Sequence, residues 1–225
     1  MTYKLGVFDI AGTTVADDNA VAIAFCNAFE IHGIKIRNDE IKPLMGYKKT
    51  LAIESVLRKN DLQYDTETVE AIHEDFVGAM FDHYANDASV KAMEGAEDVF
   101  MELKHHGISI TLNTGFPRII ADTIVKRLGW DRTGMVNDYI ASDEVVKGRP
   151  FPYMIQALMQ RNAITDSSTV FKIGDTEVDI NEGRNAGCGL VIGVTTGAFT
   201  RHQLAEYHPD HIIESLYSLP EILGL

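Results

Sequence analysis

The stretch KLGVFDIAGTTV, residues 4–15, joins a short apolar run to a carboxylate and a glycine-containing turn. Lys4–Phe8 is brief and mostly apolar, as buried parallel strands are. Asp9 directly follows this run. In open α/β sheets, ligands bind beyond the carboxyl ends of the strands. The stretch therefore predicts a central strand with Asp9 at the functional edge of the sheet.

Later parts of the chain repeat the strand pattern and alternate with helical patterns. Alternation of this kind favours an α/β fold with a doubly wound parallel sheet. The further strands are predicted at Ser109–Asn113, Tyr139–Ala141, Thr169–Ile173 and Leu190–Val194.

One segment, residues 16–85, breaks the alternation because it shows helical periodicity alone. Its amphipathic stretches are Ala20–His32, Lys49–Leu57 and Thr66–His83. We expect this segment to form an all-helical cap domain inserted after the first strand. Residues 1–15 and 86–225 then form the α/β core.

Composition limits the partners and the setting of the chain. Its 225 residues carry a formal net charge of −13 and show no basic stripe, so a nucleic-acid partner is not expected. There is no apolar run of about 18 residues, so no membrane span is expected. Without a secretory signal pattern, and with Cys26 and Cys188 forming no disulfide framework, a cytoplasmic location is expected. An anionic substrate would need a local cationic or metal-bearing site in so acidic a chain.

Polar residues follow several of the predicted strands and should converge on one crevice. They are Asp9, Thr114-Gly115, Gly148-Arg149-Pro150 and Gly174-Asp175. Two carboxylates, a hydroxyl, backbone N–H groups and a guanidinium together predict a site for a phosphoryl group and a metal ion.

These motifs resemble those of the haloacid dehalogenase superfamily. Asp9–Val15 resembles its first motif and Thr114 its second, Arg149 stands where a lysine is usual, and Gly174–Asp179 resembles its acidic fourth motif. The resemblance implies that Asp9 is a nucleophile that attacks phosphorus in a small anionic organophosphorus substrate. It also implies a Mg²⁺ ion held by Asp9, the Ala11 carbonyl and Asp175, with Asp179 either a direct ligand or one step removed.

A closer resemblance is to the phosphonoacetaldehyde hydrolases, or phosphonatases. The shared traits are Ala11 in place of an aspartate, Arg149 in place of a lysine, and the spacing Met45-Gly46-x-x-Lys49. In that family a cap lysine forms a Schiff base with the substrate aldehyde, and the spacing assigns this role to Lys49. The resemblance further implies a homodimer through the cap helices.

The remaining substrate contacts are predicted from residue chemistry and motif position. Thr114 can donate its hydroxyl to a phosphoryl oxygen, and Arg149 offers a permanent charge with a planar set of donors. Backbone N–H groups at Gly12 and Gly115 are expected to approach the same oxygens. The motif positions Thr13, Met45 and Gly46 are expected to complete the substrate-binding set.

Ala11 and Lys49 are linked by chemistry. In ordinary phosphatases of the superfamily an aspartate at the Ala11 position protonates the leaving alcohol, which alanine cannot do. An iminium on a lysine removes that need, since the carbon then leaves phosphorus as an enamine. Lys48 is a rival, but helical spacing places Lys49 at the head of the apolar stripe that includes Ile53 and Val56.

Three positions depart from the phosphonatase pattern, and other functions stay open. Asn19, Ala52 and Phe116 stand where that family has a cysteine, a histidine and a tyrosine. The sequence therefore leaves the substrate open between phosphonoacetaldehyde and another 2-oxo-alkylphosphonate. The alternatives are a phosphomonoesterase of the same superfamily and, less well supported, a non-catalytic module that keeps a metal site.

Overall fold

The computed structural model describes residues 2–225, and a six-stranded parallel sheet forms its centre. The strand order is β3-β2-β1-β4-β5-β6, so β1 lies inside the sheet between β2 and β4. The five predicted strands are confirmed within a residue of their ends, and a sixth follows them near the C-terminus. The strands are β1 Leu5–Asp9, β2 Ser109–Thr114, β3 Asp138–Ala141, β4 Val170–Gly174, β5 Leu190–Val194 and β6 His211–Ile213.

Helices cover both faces of the sheet, which confirms the doubly wound α/β class. Successive residues of β1 point to opposite faces: Leu5 and Val7 pack in one apolar cluster, and Phe8 packs in the other. The helices are α1 Ala20–Ile31, α2 Asn38–Ile41, α3 Lys49–Lys59, α4 Thr66–Asn86, α5 Ala96–His105, α6 Arg118–Leu128, α7 Trp130–Thr133, α8 Tyr153–Arg161, α9 Glu177–Ala186, α10 Arg201–Ala205 and α11 Leu219–Leu223. Helices α8 and α9 pack with the Leu5/Val7 cluster, and α5 and α6 pack with Phe8.

The helical insertion between β1 and β2 is confirmed, and it packs directly on the core. Helices α1 and α4 meet through Phe25 and Phe76, whose ring centroids are 4.2 Å apart. Phe76 and Tyr84 in turn contact Phe116 of the core. The cap and the α/β unit therefore share one apolar interface. The assignment of residues 16–85 to the cap stays a prediction.

The two connections between cap and core lie side by side. Val15 and Ala92 form an isolated antiparallel bridge, and the Met93 N–H donates to the Thr14 carbonyl at 2.8 Å. On the cap side of this pairing, Asp18 and Asn19 both have left-handed backbone, with φ of 43° and 66°. The chain thus turns sharply just before α1.

Over residues 2–225, the helices include none with the length and apolar character that crossing a membrane requires.

Candidate active site

Three buried carboxylates form the centre of the site. Asp9 ends β1, Asp175 follows β4, and Asp179 lies in the first turn of α9. One oxygen from each falls within 4.8 Å of the others. Neighbouring parallel strands end at the same edge of the sheet, which is why these distant residues meet.

The charges of Asp9 and Asp175 are incompletely balanced. Burial raises the pKa of Asp9, although Arg149 opposes the rise. Burial, followed by the charges of Asp9 and Asp179, raises the pKa of Asp175 well above its usual range. Two buried carboxylates of this kind call for a cation, and a hard oxygen-binding cation such as Mg²⁺ fits the donor set. Asp9 and Asp175 would hold such an ion, and its charge would favour the ionised form of Asp9 and offset the charge of an incoming anion.

Asp179 is held differently, since two basic side chains and a hydroxyl surround it. Its Oδ1 accepts hydrogen bonds from Arg149 Nη1 and from Lys172 Nζ, the latter at 2.8 Å. Its Oδ2 accepts from the Thr176 hydroxyl in a capping box at the start of α9. Burial alone would raise its pKa, but Arg149 and Lys172 outweigh this and bring the pKa to about 2. Both carboxylate oxygens of Asp179 are therefore used in hydrogen bonds within the protein. This favours a role in orienting its neighbours over direct ligation of a metal ion.

Arg149 joins the Asp9 carboxylate to this network. The guanidinium is 1% exposed, and its Nη1 donates to Asp9 Oδ1 at 2.7 Å as well as to Asp179. The arginine lines the cavity above Asp9. It can thus fix the orientation of the Asp9 carboxylate while keeping a positive charge at the cavity.

Close backbone packing positions Asp175. Its Oδ2 accepts a hydrogen bond from the Ala198 N–H at 2.6 Å. Gly12 has φ +85°, and a Cβ there would lie 2.8 Å from Asp175 Oδ2 and 2.9 Å from Gly197 Cα. Glycine is required at position 12 both for this conformation and for this approach.

The local turn also decides what Gly12 and Thr13 can do. The Gly12 N–H donates to the Val15 carbonyl at 2.8 Å and is already used in the turn. Neither Gly12 nor Thr13 lines the cavity. The substrate contacts expected at these two positions stay predictions: Gly12 packs against the Asp175 carboxylate, and the Thr13 hydroxyl is buried without a protein partner among residues 2–225.

Lys49 faces the carboxylates from the cap. The side chain is 4% exposed, and its Nζ lies 4.8, 5.5 and 5.9 Å from the ring centroids of Phe116, Phe25 and Phe76. Burial lowers its pKa from 10.5 to about 8, with a further lowering by Arg149 and opposition from Asp9. Lys48, by contrast, is half-exposed and sits at the N-cap of α3. The helical-face prediction that distinguished the two lysines agrees with this arrangement.

The Met45-Gly46 segment docks the cap onto the core. Gly46 has φ +82°, and a Cβ there would lie 2.5 Å from Val178 and 2.6 Å from Thr176 Oγ1. From the other side, a Cβ on Gly115 would lie 2.6 Å from the Gly46 carbonyl oxygen. Beside them, Tyr47 donates its hydroxyl to Glu177. Glycines at positions 46 and 115 therefore permit a closed arrangement of cap and core.

Closure leaves only a small cavity, of about 30 Å³, between Lys49 and Asp9. This volume is about that of one water molecule, so a substrate can enter only if the cap moves away from the core. Thr114 lines it and accepts a hydrogen bond from the Phe116 N–H at 3.1 Å, which leaves its own hydroxyl proton free to donate. The predicted site residues that line this cavity are Asp9, Ala11, Met45, Gly46, Lys49, Thr114, Gly115, Arg149 and Asp175. The predicted residues outside the lining are Gly12, Thr13 and Asp179.

The three positions that depart from the phosphonatase pattern have different surroundings. Phe116 lines the cavity and contacts the Lys49 ammonium group. Ala52 is buried in α3, and Asn19 is exposed. Phe116 therefore lacks, next to Lys49, the hydroxyl that a tyrosine would carry at this position.

Several polar residues at or beneath the cavity were not predicted from the sequence. Asp17 and Thr176 line the cavity, and a buried polar network lies beneath it. In that network Lys172 donates to Asn113 Oδ1 at 2.8 Å, and Asn113 donates to Glu182 at 2.7 Å. Burial raises the pKa of Glu182 to about 7 against the opposing charge of Lys172. A charged residue within strand β4 was the available signal, since buried parallel strands are otherwise apolar.

The fold and the carboxylate site agree with a family match. A model of the haloacid dehalogenase-like hydrolase family matches residues 7–193. The chain therefore belongs to this family of hydrolases.

Individual relatives refine the comparison. Phosphonoacetaldehyde hydrolase of Bacillus thuringiensis subsp. konkukian is 27% identical over 231 residues, which covers 96% of this chain and 86% of the relative. Among solved structures, a phosphonoacetaldehyde hydrolase-like protein from Oleispira antarctica superimposes with a TM-score of 0.88 and 20% identity over 100% of this chain and 92% of its own. A predicted phosphoglycolate phosphatase from Haemophilus somnus 129PT superimposes with a TM-score of 0.81 and 17% identity. This match covers 99% of this chain and 98% of the other. At these identities the two structures show a shared fold alone.

Proposed function

We propose that this hydrolase cleaves the carbon–phosphorus bond of phosphonoacetaldehyde or a related small 2-oxo-alkylphosphonate, with Asp9 as nucleophile and Lys49 as the imine-forming amine. The observation that carries the proposal is the position of Lys49. A buried amine with a lowered pKa faces the Asp9 carboxylate across a small cavity that both residues line. The distant likeness to phosphonoacetaldehyde hydrolases over nearly the full chain adds support.

The phosphoryl half of the reaction uses core residues. Asp9 attacks phosphorus while Arg149 orients its carboxylate and offers positive charge. Thr114 and Gly115 line the cavity, and in this proposal the Thr114 hydroxyl and the Gly115 N–H donate to phosphoryl oxygens. Asp9 and Asp175 are the residues that would hold Mg²⁺, with Asp179 kept in place by Arg149 and Lys172.

The carbon half of the reaction uses the cap. The neutral Lys49 amine adds to the carbonyl carbon, and loss of water gives an iminium. Asp9 then bonds to phosphorus as the carbon–phosphorus bond breaks, and that electron pair moves into an enamine on Lys49. A lowered pKa matters because the free base is the nucleophile: at pH 7 an amine of pKa 8 is about 300-fold richer in free base than one of pKa 10.5.

The phosphomonoesterase alternative rests on the fold likeness to a phosphoglycolate phosphatase. Against it, Ala11 lines the cavity beside Asp9 and has no proton to give an alkoxide leaving group. The burial of Lys49 among three phenylalanine rings also has no evident use in hydrolysis of a simple ester. The cytoplasmic location and the homodimer through the cap helices stay predictions.

The test is the substrate dependence of Lys49→Arg. Arginine keeps the charge but stays protonated, so it cannot form an imine. We expect C–P cleavage of phosphonoacetaldehyde to fall by several orders of magnitude, while phosphorylation of Asp9 by acetyl phosphate continues. Lys48→Arg is the matched control and should retain both. Equal cleavage by wild type and Lys49→Arg, or turnover of simple phosphate esters alone and regardless of Lys49, would replace this proposal with the phosphatase one.

A further inference from the structure

One charged side chain in the lining of the active-site cavity has no role in the proposed reaction as described above. The charged or titratable side chains of its lining are Asp9, Asp17, Lys49, Arg149 and Asp175. Asp9, Asp175 and Arg149 serve the phosphoryl group, and Lys49 serves the carbonyl carbon. Asp17, which lies in the connection from core to cap, has no assigned role.

Imine chemistry in this cavity needs a proton carrier. An amine that adds to a carbonyl gives a carbinolamine, whose hydroxyl leaves readily only after protonation. Ala11 cannot supply the proton, and Val21, Met45 and Phe116, the apolar part of the lining, cannot either. Arg149 does not titrate in the useful range.

We propose that Asp17 is the general acid and base of the Lys49 imine steps, a role that rests on the proposed function. In its acid form Asp17 donates a proton to the carbinolamine hydroxyl. The C–O bond breaks, water leaves, and the nitrogen lone pair forms the C=N bond of the iminium, with Asp17 left as a carboxylate. On product release, after solvent has protonated the enamine carbon, water adds to the iminium and gives its proton to Asp17, which restores the acid.

The local geometry leaves one oxygen of Asp17 available for this exchange. Its Oδ1 accepts a hydrogen bond from the Val21 N–H at 3.1 Å, at the start of α1. Within residues 2–225, Oδ2 has no hydrogen-bond partner. The first contact fixes the side chain, and the second oxygen remains open to a ligand.

Asp17 is half-buried and also lines two further clefts beside the active-site cavity. One neighbouring cleft is lined by Asp17, Asp18 and His83, and another by Asp17, Lys42 and Thr196. A carboxyl group between the cavity and these clefts can exchange its proton with water while the reacting carbon stays enclosed.

The charges around Asp17 suit a group that alternates between acid and base. Burial raises its pKa, and Lys49 on α3 and His83 on α4 oppose the rise, with Asp18 beside it acting in the same direction as burial. Tyr84 of α4 is the other titratable group near it, and its hydroxyl has no hydrogen-bond partner in the described chain. A carboxyl whose pKa is moved toward neutrality is a better proton donor near pH 7 than an ordinary surface aspartate.

The experiment compares Asp17→Asn with Asp18→Asn in the full chain with Mg²⁺ present. Asparagine keeps the oxygen that accepts from Val21, so the cap start is preserved, while Asp18→Asn removes the same charge one residue away and outside the active-site cavity. The probe is phosphonoacetaldehyde, and the readout is the rate of borohydride-trappable adduct at Lys49. We expect a loss of about 100-fold or more for Asp17→Asn, in the range of general acid catalysis, and less than about twofold for Asp18→Asn.

Two further measurements separate proton transfer from a structural effect. Phosphorylation of Asp9 by acetyl phosphate should be equal in wild type and Asp17→Asn, because it bypasses the imine. Asp17→Glu should restore part of the trapping rate, and the fall in trapping rate at high pH should disappear in Asp17→Asn. Trapping of Asp17→Asn at the wild-type rate overturns the role of Asp17 and leaves the proposed function intact. Absence of any wild-type adduct at Lys49 overturns both.

Discussion

Replacing Lys49 with methionine should stabilise this protein, and by an amount that depends on pH. Methionine has a similar length and can pack against Phe25, Phe76 and Phe116, while the buried positive charge is removed. The gain follows from the low pKa of Lys49, which means that the folded protein holds the protonated amine at a cost.

The size of the gain in the free energy of unfolding follows from the linkage between protonation and folding. A folded-state pKa of about 8 against 10.5 for the free side chain corresponds to about 3 kcal/mol at about 1.4 kcal/mol per pH unit. At pH 7 the amine is protonated in both the folded and the unfolded chain, so the whole cost is present. Between pH 8 and 10.5 the unfolded chain binds a proton that the folded protein lacks, so wild-type stability rises with pH. The advantage of Lys49→Met should therefore shrink to about 1.4 kcal/mol near pH 9.5.

Urea unfolding in the presence of a chelator, at pH 7 and pH 9.5, measures the effect. Only the difference between wild type and variant is used, since other groups titrate equally in both. Lys48→Met is the matched control and should shift stability by less than about 0.5 kcal/mol, because Lys48 is half-exposed. A Lys49→Met variant less stable than wild type at pH 7, or a gain that does not change with pH, would refute the argument that Lys49 is a desolvated amine.

Three further substitutions test the core site. Asp9→Asn should abolish turnover and leave the fold intact, since the amide is nearly isosteric but a poor nucleophile; activity within about tenfold of wild type would exclude Asp9 as nucleophile. Asp175→Ala should lose Mg²⁺-dependent activity and measurable Mg²⁺ binding in calorimetry, and full activity in excess chelator would contradict the metal assignment. Gly12→Ala should weaken Mg²⁺ binding by displacing Asp175, whereas Gly33→Ala, with a similar φ of +73° and no atom within 4 Å, should cost stability alone; equal Mg²⁺ affinity in both would show that Gly12 does not position the carboxylate.

The sequence was sufficient where function depends on strand ends and helix faces. Asp9 and Asp175 could be brought together because the carboxyl ends of parallel strands share one edge of the sheet. Lys49 could be placed inside the interface because it begins a stripe of apolar residues that continues with Ile53 and Val56. Strand ends and helix faces follow from the periodicity of the chain, which depends little on side-chain detail.

Features that depend on local turns or on distant polar partners were beyond such reasoning. The Gly12 N–H is used by a hydrogen bond to Val15 that no spacing rule reveals. The charge of Lys172 is balanced by Asp179 and a network with Asn113, and strand patterning alone gives no partner for a buried lysine. Strand β6 was missed because three residues are too few to show a period.

The central claim is that Lys49 forms an imine with the substrate, and borohydride reduction tests it most directly. Wild-type protein is incubated with phosphonoacetaldehyde and with a small panel of 2-oxo-alkylphosphonates, reduced, digested and mapped by peptide mass. We expect at least one compound to leave a reduced adduct on the peptide that contains Lys49, with inactivation in proportion to labelling. A label on Lys48, or no label on the cap with any compound that the enzyme turns over, would contradict the account.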